Sequence, residues 1–224
     1  MVRTAESGAA SRLHTRTRMG GSPLAQDFYL RPTLVVAREL LGKIFLRHVD
    51  GDVIAGRIVE VEAYTPDGDA ASHAFRGRTQ RNAAMFEDGG VLYVYFTYGM
   101  HYCMNVVTET AGRGAAVLIR AIEPFAGEQH MLRNRGAAAT MKTLSNGPAK
   151  CCQAFGIGPQ HNGLSLHGRG DIVLLDAPAV DDAHVARSPR VGIRLAAELP
   201  WRLYIRGNPH VSRGPREHID VPVT

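Results

Sequence analysis

The sequence has too few cysteines for a disulfide framework: of Cys103, Cys151 and Cys152 two are neighbours, and no C-x-x-C spacing marks a zinc site. Its ten histidines are scattered, with no H-E-x-x-H pair, so spacing gives no support to metal catalysis. No apolar run approaches the roughly 18 to 20 residues of a membrane helix, and the N-terminus lacks the apolar stretch of a secretory signal. The expectation is a cytoplasmic protein that does not enter a membrane.

What is present is a globular composition, 45% hydrophobic and 21% charged over 224 residues, enough for one sizeable core. The net charge of +5 is a weak clue, because Arg3, Arg12, Arg16 and Arg18 stand against Glu6 alone in the first 24 residues. Distribution is more informative. Between Arg187 and Arg216 seven arginines accompany one acid, Glu198, whereas residues 50–69 hold six acids and one arginine. That asymmetry fits either a solvated basic stretch or a surface facing an anionic partner.

Residues 1–23, rich in Ser, Thr, Gly, Ala and Arg, read as a disordered tail and 214–224 as a C-terminal tail, leaving one domain over 24–213. RPTLVVARELLGK predicts a helix capped by Thr33 and stopped by Gly42. KIFLRHV and GRIVEVEAY form a hairpin through VDGD; VLYVYF and HYCMNVV form another through TYGM. GAAVLIRAIEP is a further strand, GEQHMLRNR and SNGPAKCCQAFGI are helical, and DIVLLDAP and WRLYIRGNPHVS return to strands. Strands arrive as hairpins rather than βαβ units, which predicts an α+β fold with a largely antiparallel sheet and helices around it.

Within RIVEVEAY, alternation puts Val59, Val61 and Ala63 on one face and Glu60, Glu62 and Tyr64 on the other, either a solvated face or the start of an active site. RGRTQRN carries Arg76, Arg78 and Arg81 between small polar residues, a composition suited to phosphates. Tyr98 sits at a turn where Gly, Asn or Asp is usual; it either folds back on its hairpin or awaits a partner. Arg120 interrupts an apolar strand and calls for a carboxylate, Glu60 or Glu62.

Taken in order, RIVEVEAY, ASHAFRG, RTQRNAAMF, LYVYFTYGMHYCMN, VLIRAIEP, SNGPAKCCQAF and IRGNPHVS resemble the succession of motifs in the alkyladenine (3-methyladenine) DNA glycosylases, over about Leu24 to Arg213. The resemblance implies a single curved antiparallel sheet with surrounding helices and a protruding hairpin, similar to a formyltransferase C-terminal domain. It implies Glu62 as the base that activates water, with Arg120 beside it. Tyr64, His73 and Tyr95 would hold a flipped base, and Asn105 would bear on normal guanine. Tyr98 would fill the vacated stack, with Met100 beside it and Arg76, Arg78 and Arg81 near the backbone. Gln80 departs from the family, which often has Pro there.

The implied activity is monofunctional: an alkylated or deaminated purine is flipped from duplex DNA and its N-glycosidic bond hydrolysed, without a cofactor and by a monomer. Glycosylases that also nick the strand attack with an amine, and Lys43, Lys142 and Lys150, the three lysines of the chain, lie outside the pocket motifs. A non-catalytic nucleic-acid-binding module of the same fold is the alternative, and a Mg²⁺-dependent nuclease another.

Overall fold

The computed structural model describes residues 21–49, 51–168 and 170–215. Of the tails assigned to 1–23 and 214–224, residues 1–20 and 216–224 lie outside the described residues. A short helix, α1 (Gln26–Tyr29), precedes α2 (Thr33–Leu40), which buries Val36, Ala37 and Leu40 against the sheet. Thr33 is the first helical residue rather than the cap; Pro32 takes that place, and the Thr33 hydroxyl instead meets Thr108 and Glu109.

The hairpin β1 (Ile44–Val49) and β2 (Asp52–Tyr64) forms as its turn residues predict, as does β3 (Leu92–Thr97) with β4 (His101–Thr108). Then come β5 (Ala115–Ala126), α3 (Glu128–Arg135), α4 (Pro148–Ala154), β6 (Ile172–Leu175), β7 (Val185–Ser188) and β8 (Arg202–Ile205). All pairings between these strands are antiparallel: the sheet runs β3-β4-β5-β2-β1-β6, and β8 joins β2 and β7 at the side. The protein is a single α+β domain with a curled antiparallel sheet. Strand β7 and helix α1 are too short to carry a periodicity and are not visible in the sequence.

β2 is the organising strand. Its first half pairs with β1 and its last part with β8, while β5 runs along nearly all of it. At the changeover the register slips twice: Ile58 faces Ile122 and Glu60 faces Ala121, so Val59 is extra on β2; Val61 then faces Ile119, so Arg120 is extra on β5. Paired bulges bend a sheet and re-aim side chains. Here they bring Arg120 against both glutamates. Val59, Val61 and Ala63 enter the main core, as alternation predicts, but the opposite face is no solvated surface: Glu60 and Glu62 are also fully buried.

Candidate active site

Aromatic side chains from three elements close around a cavity of about 180 Å³, a volume suited to one bicyclic heterocycle rather than a nucleotide. Tyr64 comes from the end of β2, His73 from the loop that follows, Tyr93 and Tyr95 from one face of β3, and Asn105 from β4. The His73 ring meets Tyr95 edge-on at 4.5 Å, and Tyr93 stacks on Tyr95 at 5.5 Å. His73 Nδ1 lies 3.0 Å from the Tyr93 hydroxyl, and Asn105 Nδ2 donates to the Tyr93 carbonyl at 3.1 Å. Such walls bind a flat ring by stacking and favour a cationic one.

Burial pushes the Tyr93 phenol up to about 12, and the phenols of Tyr95 and Tyr64 further still. For Tyr64 the neighbouring Glu62 carboxylate adds to the effect. All three stay protonated at neutral pH and can donate. His73 keeps an exposed edge, yet desolvation first and the positive charge of Arg81 second lower its pKa below 6.5, so the imidazole is neutral at pH 7.

Glu62 lies behind Tyr64. One oxygen accepts from Tyr64 Oη at 2.8 Å; the other accepts from the Val191 amide at 2.7 Å and is 3.2 Å from Arg120 Nη1. A carboxylate offers about four acceptor sites. Tyr64 and Val191 take two of them by hydrogen bonds and Arg120 faces the second oxygen as an ion pair, so an acceptor site remains for a water on the oxygen shared with Tyr64. Desolvation opposes the charge on Arg120, but Glu62 and Glu60 outweigh it and keep the guanidinium protonated.

Glu60 completes a buried chain of four charges. Its Oε1 accepts from Arg120 Nε at 2.8 Å, Arg202 Nε at 2.7 Å and Ser212 Oγ at 2.8 Å, and its Oε2 from the Ser212 amide at 2.6 Å. A second buried pair sits on the other side of Tyr64. Arg190 grips Asp69 through two bonds of 2.6 Å, donates to the Ala63 carbonyl at 2.9 Å, and lies 4.5 Å from the Tyr64 ring centroid. The arginine-rich and acid-rich stretches of the sequence therefore meet inside the protein: Arg190 and Arg202 are core ion-pair partners, not surface charge.

Arg120 and Arg202 also reach a larger groove, about 1070 Å³, lined by Lys142, Lys150, Arg206 and Arg213 and by no acidic residue. Burial first, and then the positive charges of Arg135 and Arg213, lower the Lys150 pKa. The groove is the larger space but has no carboxylate in its lining and only one aromatic, Tyr204. It suits phosphate groups; the smaller cavity suits a flat ring.

Residues 27–209 match the model of the methylpurine-DNA glycosylase (MPG) family. The chain belongs to the methylpurine-DNA glycosylases. Relatives that carry the name "Putative 3-methyladenine DNA glycosylase" include those of Chlorobaculum parvum (50% identical over 190 residues, 84% of this chain and 90% of the relative) and Chlorobaculum tepidum (48% over 192 residues, 85% and 90%). That of Burkholderia lata is 46% identical over 196 residues, 87% of this chain and 93% of the relative. The protein is thus a DNA glycosylase of the kind that serves base-excision repair of alkylated purines.

In this glycosylase the residues singled out from sequence fall into three places. Tyr64, His73, Tyr95 and Asn105 line one cavity, with Tyr98 at its rim. Glu62 and Arg120 sit together behind Tyr64. Arg76, Arg78, Arg81 and Met100 are exposed around them. Arg78 is 3.9 Å from Glu87, and one Arg81 nitrogen donates to the Phe96 carbonyl, so Arg81 also braces the hairpin. Gln80 is exposed, and the loop around it is shaped by Asn82, which binds Thr79 and the carbonyls of His73 and Gly77.

Sequence reasoning missed Arg202, Arg190, Asp69 and Ser212, and left Glu60 as one of two partners for Arg120. Arg202 lies in the apolar run WRLYI and answers to the same rule that singled out Arg120. Arg190, Asp69 and Ser212 lie in loops and carry no such signal.

The His73 assignment can be checked by NMR. The ring proton should titrate below 6.5, and Arg81→Ala should move the midpoint upward without reaching 6.5, because desolvation is the larger cause. A wild-type midpoint at or above 6.5 would contradict the neutral imidazole.

Proposed function

We propose that the protein flips an alkylated or deaminated purine out of duplex DNA into the aromatic cavity and hydrolyses its N-glycosidic bond with a water activated by Glu62. The observation that carries this reading is a fully buried carboxylate, ion-paired to Arg120, that keeps an acceptor site on the oxygen shared with Tyr64, next to a cavity of one-base size. Glu62 takes a proton from the water as its oxygen bonds to C1′, and the base leaves with the electrons of the C1′–N bond. The negative charge of Glu62 also opposes the positive charge that develops on the sugar. Free base and an abasic site result.

Selectivity follows from the walls. Alkylation at N3 or N7 makes the purine cationic, and a cation between aromatic faces gains about 0.5 to 2 kcal/mol. A neutral His73 adds no opposing charge. The amide nitrogen of Asn105 is held by Tyr93, which fixes the group that normal guanine would meet. Lyase chemistry is not expected, because no lysine lines the cavity: Lys43 is paired to Asp176 at 2.6 Å, and Lys142 and Lys150 face the basic groove.

Flipping leaves a gap in the duplex that must be filled. Tyr98 is 82% exposed and Met100 70%, on a turn closed by the Met100 amide and the Thr97 carbonyl. Both central residues of that turn have positive φ, 51° at Tyr98 and 69° at Gly99. A non-glycine residue there is strained. Function, not folding, then explains a tyrosine where asparagine would be easier. Tyr98→Ala should slow excision from duplex lesions by about tenfold or more, as loss of one aromatic stack of about 1 to 3 kcal/mol implies, and leave Tm unchanged. Stopped-flow excision that matches wild type would remove the wedge.

The test of the whole reading is release of free base from methylated and from hypoxanthine-containing duplexes in EDTA, wild type against Glu62→Gln. Lesion-dependent release by the wild type alone supports it. Duplex binding without release would favour the non-catalytic module, and EDTA-sensitive strand cleavage a nuclease.

A further inference from the structure

Among the described residues the most tightly held carboxylate is not the one proposed to do the chemistry. Glu60 accepts four hydrogen bonds, all between 2.6 and 2.8 Å, and touches no wall of the aromatic cavity. Its partners come from β5, β8 and the segment after β8, so it ties three separated stretches of chain to one point. Through Arg120 it also touches the site: Nε of that guanidinium is on Glu60 at 2.8 Å, while Nη1 is on Glu62 at 3.2 Å. A planar guanidinium gripped at Nε has its other nitrogens fixed in direction.

We infer that Glu60 is a positioning residue for the reaction, acting through Arg120 to set where, and how strongly, that guanidinium engages Glu62. This inference rests on Glu62 being the base. Three features support it beyond simple ion-pair stability. Glu60 holds the shorter of the two Arg120 contacts, so the share of the cation left for Glu62 depends on it. Arg120 sits on a β-bulge, where the backbone alone determines its side-chain direction less than a regular ladder would. Arg202 and Ser212 make no bond to Glu62; both bind Glu60, and Ser212 Oγ also accepts from Arg120 Nη2 at 3.1 Å. Arg202→Met therefore removes a cation that touches neither Glu62 nor the aromatic cavity; it does border the basic groove, so duplex Kd is read beside the rate.

Without the Glu60 charge, Arg120 is free to close on Glu62. A carboxylate gripped more firmly by a cation gives up less of its charge to water and to the sugar, and the vacant acceptor site moves with it. A displacement on the scale of 1 Å in a reacting group costs up to about 100-fold in rate. The effect belongs to the chemical step, because neither Glu60 nor Arg202 lies in the cavity that would receive the base.

The test measures single-turnover base release with saturating enzyme, duplex Kd and Tm for wild type, Glu62→Gln, Glu60→Gln and the double variant Glu60→Leu/Arg202→Met. In the double variant the buried charges are removed together, and such apolar replacement commonly preserves stability. The expected result for Glu60→Gln is a rate about 10- to 100-fold below wild type with duplex Kd changed less than about twofold. The double variant should regain Tm but stay slow. If its rate returns along with Tm, or if Glu60→Gln reacts at the wild-type rate, Glu60 is structural only and the inference falls. Should Glu60→Gln fail to fold, the double variant decides alone by the same criterion. The reading of Glu62 fails separately: an active Glu62→Gln overturns it, and this inference with it, whereas an inactive Glu62→Gln beside a fast Glu60→Gln overturns only the role of Glu60.

Discussion

Glu62→Gln is expected to lower base release by at least about 10²- to 10⁴-fold, the usual contribution of a general base. The substitution is nearly isosteric. The side-chain oxygen can still accept from the Val191 amide and face Arg120, and the Tyr64 hydroxyl can turn to accept from the new amide. What disappears is the proton acceptor and the negative charge beside the developing sugar cation. Arg120 keeps Glu60 as a partner, so the fold should survive with a modest fall in Tm. Duplex affinity should hold or rise slightly, because removing an acid near a basic groove favours phosphates. Single-turnover excision together with a binding isotherm separates these effects. A rate within threefold of wild type at unchanged affinity would mean that Glu62 is only one end of an ion pair.

Asp69→Asn should be the most destabilising single substitution around the site. All four acceptor sites of the carboxylate are occupied: two by Arg190 at 2.6 Å each, and two by the backbone amides of Ala71 at 3.1 Å and Thr65 at 3.3 Å. Both side chains are fully buried. Asparagine turns one acceptor into a donor facing donors and leaves the Arg190 charge without its counterion, which costs about 3 to 5 kcal/mol. In a protein of this size, at about 2 to 4 °C per kcal/mol, Tm should fall by roughly 6 to 20 °C. Thermal unfolding followed by circular dichroism would check it, and a fall under 2 °C would contradict the argument. The loop carrying Ala71 and His73 hangs from Asp69, so a cavity wall should loosen as well. Asp69→Leu combined with Arg190→Met should recover part of the loss, since a buried pair removed as a unit leaves no orphan charge.

Much of the fold is legible in the residues. The hairpins declare themselves through D-G and Y-G turns between alternating strands, and their recurrence without long helical crossovers indicates an antiparallel sheet. The members of the cavity are legible for a different reason: tyrosines at alternate positions of LYVY share a face, and a tyrosine at a turn tip has little protein to pack on. The ion-pair chemistry is legible only in part. An arginine inside an apolar strand demands a carboxylate, which points to Arg120 and, by the same rule, Arg202. It cannot say which carboxylate, because that choice lies with the register.

The sequence by itself determined most of the strands, the aromatic hairpin, a guanidinium inside an apolar strand at Arg120 and the presence of two glutamates on one strand face. Only the tertiary structure decided what each glutamate does. Two offset bulges, at Val59 and Arg120, turn a regular ladder into a bend that places one guanidinium between both carboxylates. β8 then arrives from 140 residues downstream, with Arg202 opposite Glu62 in register but bonded to Glu60. Glu60 accepts four hydrogen bonds from those distant partners, while Glu62 accepts two beside its Arg120 ion pair and keeps an acceptor site beside a cavity of one-base size. Two residues apart in sequence and alike in chemistry, the glutamates differ because long-range partners, which local periodicity does not encode, fill the lone pairs of one and not of the other.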